Sequence, residues 1–292
     1  MVFVNHAERK LKMLDVLLDA LMDTLKLIPY LFVTFLLLEI IEHKFSKKSE
    51  KVLENNKKFG PLIGGLLGGL PQCGFSAIAS NLFSSKVITM GTVVAIFLAT
   101  SDEMLPIMLG EKVDPKLMFG IVGFKVILGI IVGLIVDFIY KNKTEKNHES
   151  IHHMCEHDHC DCAHSNVFVS SLLHTLKTVI FVVVANILIG IAIFYIGEDN
   201  ISNLLLNHNI LGYFISSLIG LIPNCAASII ITEVYLNKLI SIGTLIAGLL
   251  TGAGLGILLL FKNNKNMKEN LTILGIVYFV GVIAGIIIDA IL

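Results

Sequence analysis

The sequence has no tryptophan, a single arginine (Arg9) and few charged residues for its length. Only 15% of its 292 residues are charged, against about 25% in soluble globular proteins. In contrast, 55% are hydrophobic, and the mean hydropathy is +0.82. The chain therefore lacks the charge to cover a solvated surface and the basic face that would bind a phosphate backbone. These shortages exclude a disordered chain, a nucleic-acid-binding protein and a secreted disulfide scaffold, and they predict an integral membrane protein whose partner is the lipid bilayer.

Long apolar runs fill most of the sequence, and roughly 20 apolar residues suffice for a helix that crosses the hydrocarbon core. Glycine recurs inside many of them, which membrane helices tolerate where they pack closely. The runs are Leu25–Ile41, Pro61–Phe83, Val87–Leu109, Leu117–Tyr140, Ser170–Ile196, Ile210–Tyr235, Leu239–Phe261 and Leu271–Leu292.

The two halves of the sequence resemble one another at an offset of 152 residues. Leu128–Ile139 aligns with Val280–Ile291 and is identical to it at six of twelve positions. In the same register, Pro71-Gln-Cys-Gly-Phe-Ser76 aligns with Pro223-Asn-Cys-Ala-Ala-Ser228. We infer an internal duplication, with a first repeat over residues 1–140, a linker over 141–166 and a second repeat over 167–292.

The distribution of lysine predicts that the two repeats have opposite orientations. The loop Glu42–Lys58 carries six lysines and its counterpart Gly197–Asn209 none, whereas Lys262–Glu269 is richer in lysine than its counterpart Glu111–Lys116. Cytoplasmic loops are enriched in lysine and arginine, so the bias reverses between the halves. Inverted repeats need an odd number of crossings each. We therefore expect an all-α membrane protein with two inverted repeats of about five apolar segments each.

The segments that contain Pro71 and Pro223 are expected to break, because proline lacks an N–H and clashes with the preceding helical turn. Each forms either a re-entrant hairpin or two short crossings. Paired broken helices at mid-membrane are typical of secondary transporters, where freed backbone groups bind the substrate. The alternative is that proline and glycine only kink packed helices. The predicted substrate ligands here are Gln72, Cys73, Ser76, Asn224, Cys225 and Ser228.

Acidic residues within the apolar runs supply a second group of candidates, because charge at the bilayer centre is costly and usually functional. Thr100, Asp102 and Glu103 interrupt the run Val87–Leu109, and Glu233 follows the second proline motif. A carboxylate pair at mid-membrane cannot stay doubly ionised without a cation, so Asp102 and Glu103 are predicted to exchange protons for a metal ion. The alternative is a polar turn at the membrane surface.

The linker between the repeats is rich in histidine and cysteine, which bind borderline and soft divalent metals. Its spacing matches no closed zinc-finger pattern, so we expect a flexible, cytoplasmic and accessory chelating segment rather than a folded domain. The predicted ligands are His148, His152, His153, Cys155, His157, His159, Cys160, Cys162 and His164.

With these motifs, nearly the whole chain resembles a bacterial family of ten-segment heavy-metal exporters, whose members are labelled manganese transporters or arsenic efflux proteins. The resemblance lies in the two Pro-x-Cys motifs, the stretch Ala99-Thr-Ser-Asp-Glu-Met-Leu-Pro106 and the histidine-rich linker. It implies export of a metal or metalloid across the cytoplasmic membrane.

The ligand types leave two substrates open. Manganese prefers carboxylate, carbonyl and amide oxygens, whereas arsenite and zinc prefer thiolates such as Cys73 and Cys225. We place manganese first. A channel or a non-transporting metal sensor is the competing class. No ATP-binding loop is present, so direct ATP coupling is not expected, and neither is enzymatic activity or a cofactor other than the transported ion. Self-association into a homo-oligomer stays open.

Overall fold

The computed structural model describes residues 59–70, 73–100, 104–144, 167–196 and 210–291, together with single positions between 22 and 36. The described segments are helices joined by short turns, which confirms the all-α class predicted from the sequence. In chain order the helices are α1 Gly60–Gly68, α2 Cys73–Ser84, α3 Met90–Ala99, α4 Met104–Gly110, α5 Pro115–Thr144, α6 Val167–Ile196, α7 Leu211–Gly220, α8 Cys225–Leu236, α9 Ile242–Thr251, α10 Leu255–Asn263 and α11 Met267–Ile291.

The order and lengths of the helices repeat within the chain. Helices α1 to α5 correspond to α7 to α11, and the first residues of α2, α3 and α5 lie 152 residues before those of α8, α9 and α11. In both halves, a short helix pair is followed by a second short pair and then by one long helix. The duplication inferred from sequence is thus visible as a repeated succession of elements.

The clearest structural equivalence is at the start of α3 and α9. A carboxylate on the long helix of each repeat accepts a hydrogen bond from the second residue of the central helix: Asp137 from the Gly91 N–H and Asp289 from the Gly243 N–H, both at 2.8 Å. The preceding hydroxyl residue, Thr89 or Ser241, caps the helix and also donates to the same carboxylate. Negative charge and hydroxyl caps at a helix N-terminus satisfy N–H groups that have no partner within the helix.

The ends of α2 and α8 are equivalent in the same detail. Two residues after the end of each helix is a lysine with positive φ, Lys86 at 58° and Lys238 at 59°. The lysine N–H and the next N–H bond back to carbonyls of the last turn, from Lys86 to Phe83 and from Lys238 to Tyr235. This is the hydrogen-bond pattern of the Schellman motif, which ends helices by a residue in the left-handed region.

The two repeats interlock around α3 and α9, which pack against each other at the centre of the molecule. Residues Gly91–Ala99 and Gly243–Thr251 are buried along their whole length. A helix of each repeat also packs against a helix of the other repeat: α2 packs against α10, and α8 packs against α4. The core therefore includes the last residues of both central helices, Ala99 and Thr251.

In the part of the chain that the structure describes, four segments are long and apolar enough to cross a membrane: Met90–Gly110, Pro115–Tyr140, Ile242–Asn263 and Met267–Ile291. Many of the large side chains on α5 and α11 are apolar and exposed, among them Phe119, Phe138 and Ile283. Such outward apolar faces are typical of helices in contact with lipid. The multi-pass membrane architecture expected from composition is accordingly retained in the structure.

Candidate functional site

Both proline motifs interrupt a helix, as the sequence predicts. Helix α1 ends at Gly68 and α2 begins at Cys73, while α7 ends at Gly220 and α8 begins at Cys225. In the second motif, Asn224 caps α8, because its side-chain oxygen accepts from the Ala226 N–H at 3.0 Å. The predicted ligand Asn224 thus already uses a lone pair of its amide oxygen within its own turn.

A second pair of interruptions divides the central segments. Helix α3 ends at Ala99 and α4 begins at Met104, whereas α9 ends at Thr251 and α10 begins at Leu255. The second gap contains a tight turn in which the Ala253 N–H donates to the Thr251 carbonyl at 2.8 Å, with φ and ψ of −73° and 70° at Gly252. Gly254 has a φ of 51°, a conformation that favours glycine.

Two predicted serines, one from each repeat, lie next to this second gap or the first turn of α10. A Cβ atom added to Gly256 would lie 2.7 Å from the Cβ atom of Ser76, and one added to Gly252 would lie 3.0 Å from the Ser228 hydroxyl. One turn after Ser76, the Ser80 hydroxyl donates to the Gly256 carbonyl at 2.6 Å. Of the helices that begin at the two proline motifs, α8 therefore contacts the α9–α10 gap and α2 contacts the first turn of α10.

Thr100 is the predicted ligand with the best-defined surroundings. Its side chain is 1% exposed, and its hydroxyl donates to the Ile96 carbonyl at 2.7 Å. Its own carbonyl lies beyond the last turn of α3 and accepts a hydrogen bond from the Lys125 ammonium. The hydroxyl proton of Thr100 is thus used within α3, and its backbone oxygen is the group that binds a residue of another helix.

Lys125 is a residue that the sequence analysis missed. It lies on α5 inside an apolar run, its side chain is fully buried, and its Nζ atom also donates to the Leu249 carbonyl of α9 at 2.7 Å. One ammonium group thereby joins the ends of α3 and α9. The signal in the sequence is a lone lysine between Phe124 and Val126, within an apolar run that otherwise has no charge before Asp137.

The remaining predicted ligands fall into two groups. Glu233 is exposed near the end of α8, so it lies away from the buried junction of α3 and α9. Gln72, Asp102 and Glu103 lie outside the described residues, as do the side chains of Cys73 and Cys225 and the whole of the His148–His164 linker. Within the described part of the chain, three or more His, Cys, Asp or Glu side chains do not gather into a metal-binding group.

Comparison with known proteins agrees with the membrane architecture. The model of a family described as "Putative, 10TM heavy-metal exporter" matches the chain over residues 12–196 and again over residues 164–292. The two matches together extend over nearly the whole sequence. No curated protein matches the chain, and neither does any solved structure.

Proposed function

The chain belongs to this family of ten-segment heavy-metal exporters, and from this membership we infer that it moves a divalent transition metal, manganese first, out of the cytoplasm in exchange for protons. The observation that carries the proposal is the pair of interrupted central segments, which repeat at one register and join through Lys125. Interrupted helices expose backbone carbonyls at membrane depth, where they serve as ion ligands in transporters.

The choice of an oxygen-seeking metal rests on the groups around these gaps. Backbone oxygens of Thr100 and Leu249 and the hydroxyl groups of Ser76 and Ser228 are hard donors. Carboxylate, carbonyl and hydroxyl oxygens suit manganese better than they suit soft metals. In the proposed site, Gln72, Asp102 and Glu103 add an amide and two carboxylates from the residues next to these elements.

Proton exchange is proposed because the site must accept and release a double charge within the bilayer. Asp102 and Glu103 would bind the metal as carboxylates and carry protons when the metal has left. Each state then keeps the buried charge small, which matters because unbalanced charge at membrane depth is costly. We propose further that the two repeats are inverted, with the linker on the cytoplasmic side of a bacterial cell membrane, as the lysine distribution favours.

Cells that express the chain under challenge by several metals provide the primary test. We expect lower cellular manganese in expressing cells, and proton-dependent manganese uptake in everted membrane vesicles. Asp102→Asn and Glu103→Gln keep the size of the side chains but remove their charge, so each should abolish this uptake. Glu111→Gln, a change at an exposed turn after α4, is the matched control and should transport as the wild type does. Normal transport by both site variants would contradict the exchange mechanism.

Arsenite efflux is the second candidate, and the register of two cysteines favours it. Cys73 and Cys225 are the first residues of α2 and α8, whose serines contact Gly256 and Gly252, four residues apart at the start of α10 and in the gap before it. Arsenite binds thiolates, so Cys73→Ser should abolish arsenite export but leave manganese export intact. If arsenite export alone is observed and the serine variants lose it, the metalloid assignment replaces the manganese assignment.

A further inference from the structure

Lys125 has an unusual position for a lysine. It is fully buried and lies ten residues into the span Pro115–Tyr140, which corresponds to about 15 Å along a helix. The hydrocarbon core is about 30 Å thick, so the ammonium lies close to mid-depth. A charged group there carries a large desolvation cost and is usually functional.

Two of the groups that bind this ammonium, the carbonyl oxygens of Thr100 and Leu249, are available because the helices are interrupted. In a continuous helix the Leu249 carbonyl would accept from the Ala253 N–H, but that N–H donates to Thr251. The Thr100 residue follows the last turn of α3, where its own N–H still bonds to Ile96 at 3.0 Å. Lys125 therefore binds the kind of freed carbonyl that coordinates cations in transporters with discontinuous helices.

The second repeat has no charge at the position equivalent to Lys125. The corresponding residue is Val277, which is 1% exposed and packs in the apolar core. The long helix of the second repeat thus packs with an apolar side chain at this register. The lysine belongs to the same repeat as Asp102 and Glu103, whose counterparts are Gly254 and Leu255.

We propose that Lys125 is a tethered cation, whose ammonium competes with the transported metal ion for the carbonyl oxygens of Thr100 and Leu249. The proposal rests on the proposed metal export and adds a residue that sets the affinity of the site. A divalent ion that binds these oxygens must displace the ammonium, and the remaining like charge weakens its binding. When the metal leaves, the ammonium returns to the carbonyls and compensates for their lost ligand.

The test is the kinetics of manganese transport in everted vesicles, together with equilibrium manganese binding to the purified full chain. Lys125→Met removes the charge and keeps the length of the side chain. We expect the KM and the dissociation constant to fall at least about tenfold, since a nearby unit charge no longer repels the ion. We also expect kcat to fall, because nothing replaces the departing metal. Val277→Met changes the equivalent position and should leave both constants within about twofold.

A second variant separates charge from hydrogen bonding. Lys125→Gln retains an amide donor for the carbonyls, so it should fold even if Lys125→Met does not, and its KM should also fall. An unchanged KM in Lys125→Gln would overturn the proposal and leave Lys125 a structural tie between α3 and α9. A raised KM would overturn it as well, because the ammonium would then assist binding. Absence of manganese transport by the wild-type chain would instead contradict the proposed function.

Discussion

The two ends of the central helices α3 and α9 follow the internal repeat to different degrees. At their N-terminal ends the repeats match group for group, with a hydroxyl cap, a glycine and a carboxylate from the long helix. At their C-terminal ends they differ: Thr100 and Lys125 of the first repeat correspond to Gly252 and Val277 of the second. The two repeats are thus the same where each central helix begins and different where it ends.

The difference between the two ends distinguishes contacts that stabilise the fold in both repeats from residues of the proposed site, which lie in one repeat. A helix start buried between neighbours needs partners for its N–H groups in either repeat, so the same solution recurs. Charge at membrane depth is costly, so the proposed site draws its lysine and its carboxylate pair from one repeat only. Changes at the N-terminal ends should therefore affect stability equally in both repeats, whereas changes at the C-terminal ends should affect transport through one repeat.

The largest stability effect is expected from an added methyl group at Gly91 or Gly243. In each case the new Cβ atom would overlap the carbonyl oxygen of the long helix, at Gly133 or Gly285. Backbone atoms cannot yield as side chains do, so Gly91→Ala and Gly243→Ala should each cost at least about 3 kcal/mol. Thermal unfolding in detergent measures the loss. A tolerated substitution in one repeat alone would break the equivalence of the two helix starts.

Removal of either capping carboxylate should have an intermediate effect. Asp137→Ala and Asp289→Ala each leave a helix N-terminus and a hydroxyl group without their acceptor, at a cost of about 1–3 kcal/mol. The corresponding asparagine variants keep one acceptor for the glycine N–H and should recover most of the loss. Equal stability of the alanine variants and the wild type would show that the carboxylates do not hold the helices.

In the second repeat, the capping carboxylate has one hydrogen-bond donor that its counterpart in the first repeat lacks. The Tyr213 hydroxyl donates to Asp289 at 2.9 Å, whereas the equivalent position in the first repeat is Pro61. Tyr213→Phe should therefore destabilise the chain by about 1 kcal/mol and leave transport unchanged. The melting temperature in detergent and manganese uptake in vesicles measure the two effects. An effect on uptake without one on melting would contradict a purely structural role.

The linker that separates the repeats should affect metal response more than transport itself. Replacement of residues 148–164 by a Gly/Ser linker of the same length removes the nine histidine and cysteine ligands and keeps the connection. We expect a higher KM for manganese and a nearly unchanged maximal rate at high metal concentration. Complete loss of transport by a folded variant would place the selecting site in the linker.

The smallest effect is expected at two glycines that have no close neighbours. Gly123 and Gly275 are equivalent positions on α5 and α11, and a Cβ atom at either would meet nothing within 4 Å. Alanine lowers the conformational entropy of the unfolded chain, so each substitution should stabilise the protein by about 0.5–1 kcal/mol. A rise in melting temperature for both variants is the expected result, and a fall in either would indicate a contact outside the described residues.

Local chemistry made the two proline breaks predictable. Pro71 and Pro223 cannot donate to a preceding turn, and α1 and α7 end just before them, as expected. The helix ends at Ala99 and Thr251 were not predicted, although the polar stretch after Ala99 and the glycines after Thr251 are poor helix formers. The same register of Gly, Pro, Cys and Asp predicted the duplication that the helix order reproduces.

The sequence by itself thus determined the membrane class, the repeat and the helix breaks next to Pro71 and Pro223, because each depends on composition or on adjacent residues. Only the tertiary structure decided which side chains meet across the repeats. Glu233 is exposed, whereas its equivalent Asn81 is buried. The packing of the helices also places Lys125 within hydrogen-bond distance of the carbonyls of Thr100 and Leu249. Those contacts join residues up to 124 positions apart, and they form because two interrupted helices pack against a third, which no local pattern encodes.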